Sequence, residues 1–99
     1  MQRLVETRIE IDEKVTKGEK LPEDMILYAV DAEHLVIAAK PLKTLEKKAL
    51  IKTQVKVISE ENKHVAKLPL KIYNFYHLDE NDYTIMASDE DPTTIIIAI

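Results

Sequence analysis

The stretch Leu21-Pro22-Glu23-Asp24-Met25-Ile26-Leu27-Tyr28-Ala29-Val30-Asp31-Ala32-Glu33-His34-Leu35-Val36-Ile37-Ala38-Ala39 decides the fold. It supports two readings. Pro22, Glu23 and Asp24 ahead of an apolar run make a helix start, with proline near the first turn and acids at the positive helix end. A helix over 22–39 would make the chain α+β. The second reading is a hairpin. Met25–Val30 and Leu35–Ala39 are short apolar runs separated by Asp31-Ala32-Glu33-His34. Ile26, Val30, Val36 and Ile37 are β-branched and favour strands. Asp31 has a side chain suited to bonding the backbone of a turn. The hairpin is the favoured reading.

The segments on either side agree with it. Leu4 to Ile11 alternates, with Val5, Thr7, Ile9 and Ile11 on one face and Glu6, Arg8 and Glu10 on the other, the period of a half-buried strand. Gly18, the only glycine, marks a loop. Pro41 ends the hairpin. The spacing of Leu42, Leu45 and Ala49 predicts a short helix near 43–50, with Thr44 a candidate cap. So short a helix is marginal alone in water and must pack on a sheet. Ile51, Thr53, Val55 and Val57 alternate with Lys52, Gln54 and Lys56 as a strand. A turn over 59–63 follows, in which Asn62 takes the positive φ. His64 to Leu78 reads as extended, with Pro69 demanding an edge position or a bulge. Tyr83–Ala87 and Thr93–Ile99 complete the strands, and 79–82 and 89–92 are acidic turns.

The expectation is a mainly β fold over one domain, residues 1–99. It is a small antiparallel barrel or sandwich of six or seven strands, with one short helix near residues 43–50. With one glycine in 99 residues, Asp and Asn must serve the tight positions.

Composition narrows the function. The chain has no cysteine, which excludes disulfides, thiolate chemistry and zinc sites built on cysteine. No apolar run approaches the ~18 residues of a membrane span, and the first residues lack the apolar core of a signal peptide. The expected location is cytoplasmic, with no membrane contact. The net charge of −4 divides unevenly: residues 1–39 carry −4, residues 40–71 carry +6, and residues 72–99 carry −6 with no Lys or Arg. Such blocks mark either a binding surface or a basic middle lying beside an acidic end within the fold.

Five features are candidates for chemistry. If 51–58 and 65–77 pair as strands, Lys52, Lys56, Lys67, Lys71, Tyr73 and Phe75 form a lysine and aromatic face. Such a face tracks phosphates and stacks bases of a single-stranded nucleic acid. It equally reads as a solvated face running into an aromatic core. The acidic turns offer oxygen ligands, but they lack calcium-loop spacing and stand at opposite ends of one strand. His34, His64 and His77 have no metal-ligand spacing, so no metal or cofactor is expected. Ser59 and Ser88 lack a nucleophile elbow, and one glycine cannot build a phosphate loop. Lastly, Ile95, Ile96, Ile97 and Ile99 form a strand apolar on both faces. It is either a central core strand or an oligomer interface covered by a second subunit. The functional expectation is a non-enzymatic protein-interaction or regulatory domain that self-associates, as a homodimer. The alternative is a nucleic-acid-binding domain using the lysine and aromatic face.

Overall fold

The stretch 21–39 is a hairpin in the computed structural model, which describes residues 7–78 and 80–99. The elements run β1 (Arg8–Asp12), β2 (Asp24–Asp31), β3 (His34–Ala38), α1 (Lys43–Lys48), β4 (Ile51–Glu60), β5 (Lys63–Lys67), α2 (Leu70–Phe75), β6 (Thr84–Ala87) and β7 (Ile95–Ala98). Every strand pairing is antiparallel. The order across the sheet is β1-β5-β4-β2-β3-β7-β6, and the sheet curls into a nearly closed barrel. Residues 4–6 of the first expected strand lie outside the described residues; from Arg8 onward the alternation holds, with Ile9 and Ile11 buried and their neighbours exposed.

The helical reading of 22–39 fails because β2 is covered on both faces. Met25, Leu27 and Ala29 face the barrel interior, while Ile26, Tyr28 and Val30 belong to a second cluster outside it. Strands covered twice read as continuous apolar runs, which periodicity alone does not distinguish from buried helix. The outer cover is α1. Leu42, Leu45 and Ala49 pack on Tyr28, Val36 and Ala38, as their spacing predicts. Thr44 is not the cap. Leu42 holds the N-cap position, and its N–H donates to the Tyr28 hydroxyl at 3.1 Å. Lys52 holds the same helix through Glu46 at 2.7 Å.

The interior is filled by side chains, among them Ile9, Ile11, Leu27, Leu35, Ile37, Ile95 and Ile97. The extended reading of His64–Leu78 is corrected. After β5 the chain turns at Pro69 (φ −58°) into α2, whose Ile72 joins the interior together with Tyr76 just beyond its end. Proline preset for a first helical turn overrides the apparent two-residue alternation. Tyr76 donates its hydroxyl to the Asp31 carbonyl at 2.6 Å, so α2 is bound to the β2–β3 turn.

Asp and Asn serve only some of the tight positions, since Lys17 (φ +55°) and His77 (φ +50°) also take the left-handed conformation. Carboxylate oxygens of Asp12, Asp31 and Asp91 accept the N–H two residues on, from Lys14 (2.9 Å), Glu33 (2.7 Å) and Thr93 (2.9 Å). Asn62 takes φ +68° between β4 and β5, and Gly18 takes +79°. Among the described residues no helix is long and apolar enough to cross a membrane.

Candidate functional site

β6 and β1 form the two ends of the sheet, and the sequence treats them differently. β1 turns Arg8, Glu10 and Asp12 outward, charges that discourage strand addition. β6, Thr84-Ile85-Met86-Ala87, has no charge. Its backbone polarity follows from the ladder. The Ser88 N–H donates to the Thr94 carbonyl, and the Ile99 N–H to the Glu33 carbonyl, both at 2.8 Å. Bonded and non-bonded pairs alternate in an antiparallel ladder. Ile96 and Ala98 therefore bond to β6, and Ile95 and Ile97 bond to β3. By the same alternation Ile85 and Ala87 aim their N–H and C=O groups away from β7. Among the described residues no strand pairs with that side.

The outer side chains make the edge apolar. Met86, Ile96, Val36 and Tyr28 are successive cross-strand partners over β6, β7, β3 and β2. α1 lies over Tyr28 and Val36 and leaves the rest of the row open: Ile96 is half-buried, and Met86 is 43% exposed. Acidic residues stand at both ends of β6. Glu80 and Asp82 precede it, and Asp89, Glu90 and Asp91 follow. Asp91 is engaged, since the Thr93 hydroxyl (2.7 Å) and then the Thr93 N–H hold its carboxyl below the ordinary range. Among the described residues no cation pairs with Glu80, Asp82, Asp89 or Glu90.

The ion pairs of the basic middle are made elsewhere in the fold, while Lys40 acts on Asp91 through its charge without an ion pair. Lys56 pairs with Asp24, Lys52 with Glu46, and Lys63 with Glu10 at 2.9 Å and Glu60 at 3.6 Å. These acids belong to the first block and to the middle itself. Each pair is exposed, so its contribution to stability is small.

The six residues of the expected lysine and aromatic face do not share one. Lys52, Lys56 and Lys67 lie on the outer face of β4 and β5, with Lys67 directly opposite both Lys56 and Arg8. Lys71, Tyr73 and Phe75 sit on α2, where positions two apart do not share a side. Tyr73 packs on the barrel interior; Phe75 is exposed and meets Tyr76 edge-on at 4.9 Å between centroids.

The isoleucine strand is likewise divided. β7 is paired on both sides, and Ile95 and Ile97 are 0% exposed inside the barrel. Neither is open to a second subunit. Ile99, half-buried, also packs on the interior, and Ile96 alone of the four joins the outer row.

One pairing escaped the sequence reading. Ser59 Oγ lies 3.0 Å from Nδ1 of the buried His64, across the β4–β5 turn. The pair borders a cleft of about 250 Å³ lined also by Glu13, Gly18, Glu19, Lys20, Glu60 and Lys63. The five-residue separation across a two-residue turn was its signal. His34 bonds Asp31 at 2.9 Å within the β2–β3 turn. Among the described residues no three metal-ligating groups gather. Compared with known proteins, the chain matches no family model, no curated protein and no solved structure.

Proposed function

We propose that this chain is a non-enzymatic protein-interaction domain that self-associates, with β6 and the Met86–Ile96 end of the outer row as its contact surface. One observation carries the reading: an uncharged edge strand stands at the end of an apolar row that α1 only partly covers. Open, apolar edges template the addition of another strand. The filled barrel interior supports binding at the surface over binding in a cavity. In a two-fold antiparallel β6–β6 pair with Ile85 opposite Ala87, Asp82 of one copy falls opposite Glu90 of the other. Self-association is therefore weakest at low salt, where these like charges are least screened.

Light scattering on a sizing column at low and high salt tests this. The expected result is a dimer favoured by salt, and a Met86→Lys variant that stays monomeric with an unchanged circular dichroism spectrum. A monomer at every salt concentration overturns self-association.

A second reading rests on a separate observation. Arg8, Lys67 and Lys56 are lateral neighbours across β1, β5 and β4. Together they make a basic strip on the outer face of the sheet, in which Lys56 also pairs with Asp24. A nucleic-acid backbone fits that strip. Its binding would weaken with salt at a log–log slope of about −0.7 per phosphate contact for single strands. Failure of any oligonucleotide to be retarded at low salt removes this reading.

A further inference from the structure

We infer that β6 receives an extended segment of another protein whose apolar centre is flanked on both sides by lysine or arginine; this rests on the reading of β6 as a contact edge. The backbone of Ile85 and Ala87, which no strand among the described residues pairs on that side, offers two N–H and two C=O groups to an added strand. Met86 and Ile96 give that strand an apolar neighbour on the outer face. The charges then select the partner. Glu80 and Asp82 stand at one end of β6, Asp89 and Glu90 at the other, all exposed and none paired with a cation among the described residues.

An added strand lies about 4.8 Å from β6. Its flanking residues then fall within the Debye length, roughly 10 Å at 0.1 M salt, of these carboxylates. Because acids occupy both ends, the selection holds for parallel and antiparallel addition alike. Basic flanks are attracted and steered to the edge, and acidic flanks are repelled. The chain's own β6 has acidic flanks, so at low salt a foreign basic segment is preferred over self-pairing, and added salt narrows that preference.

The probes are two fluorescent synthetic peptides with the same alternating valine–threonine centre. One carries two lysines at each end, and the other carries two glutamates. At about 20 mM salt the lysine peptide is expected to bind about tenfold more tightly by anisotropy, a preference that shrinks as salt rises. The Ile85 and Ala87 amides should gain protection from hydrogen exchange in the complex. A variant carrying Asp82→Asn and Asp89→Asn should lose several-fold in affinity for the lysine peptide while keeping its thermal midpoint.

Equal affinity for the two peptides, with Ile85 and Ala87 protected by both, overturns the charge selection and leaves the edge reading intact. Protection of other amides only, or no binding of the lysine peptide, overturns the inference. If Met86→Lys also fails to change the mass of the assembly, the edge reading falls with it.

Discussion

The hydroxyl of Tyr76 donates to the carbonyl of Asp31 at 2.6 Å and lies 3.2 Å from that of His34, binding α2 across the barrel to the β2–β3 turn. Burial, and secondarily the Asp31 charge, push the Tyr76 hydroxyl up to about 12 from its ordinary 10.0. The folded state therefore holds this proton more tightly than the unfolded chain. That stability is complete below pH 10 and is lost as pH rises toward about 12. Tyr83, raised chiefly by burial, adds to the same slope. Tyr76→Phe should cost about 1–2 kcal/mol at neutral pH, through two carbonyls deprived of their donor. It should also flatten the alkaline limb of urea denaturation measured from pH 8 to 11.5.

The outer face depends on a helix of six residues. Leu45→Ala should destabilise by about 2 kcal/mol, the low end for leucine truncation, because its site is only half-buried. Tyr28→Phe removes the acceptor for the Leu42 N–H and should cost about 1 kcal/mol. The two effects should not add, since both groups hold the same helix against the same strand. Urea titrations of the two single variants and the double variant measure the coupling.

Ile97 and Met86 should respond in opposite ways. Ile97→Ala empties part of the barrel interior and should cost about 2–5 kcal/mol. Met86→Lys places a charge at an exposed edge position and should change stability by less than about 0.5 kcal/mol. If Ile97→Ala leaves the thermal midpoint unmoved, the placement of β7 within the barrel is wrong.

Acid should weaken the fold through a few carboxylates. Bonds from Lys63 hold Glu10 below its ordinary 4.5, and those from Lys52 do the same for Glu46. The Glu33 N–H and then His34 hold Asp31 below 3.8. The Thr93 hydroxyl and N–H hold Asp91 below that value. A depressed folded value stabilises above the unfolded one and is lost on acidification through the folded one. Stability should thus fall progressively below about pH 4.5. Asp91→Ala should reduce the acid slope and loosen the turn before β7, read as faster amide exchange at Thr93.

Much of this was legible in the residues. Ile9 and Ile11, Val55 and Val57, and the Leu42–Leu45–Ala49 spacing each placed an element and its buried face. Asp31 and Asn62 announced their turns, because the chemistry that allows those turns is local. The misreadings share a physical cause. Over six residues near Pro69, a two-residue period and a helical one select overlapping positions, so the α2 residues passed for a strand. That error carried Lys71, Tyr73 and Phe75 onto a face they do not share. The isoleucines of β7 left two coverings open, because what covers a strand twice is decided by strands and a helix distant in sequence. The uncharged β6 edge and the Ser59–His64 contact needed the sheet order and the hairpin register.

The order of strands also sets how the molecule opens. β2, β3, β4 and β5 occupy adjacent places in the sheet and come from one continuous stretch, residues 24–67, whereas β1 and the β6–β7 hairpin are laid on its two sides. Fluctuations that release a margin leave the middle four strands joined, so amide exchange should be slowest in β2 and β4 and graded outward. Any partner that seats on β6 then does more than add a strand: it slows the release of the least tethered side of the barrel and shifts that gradient inward from the margin.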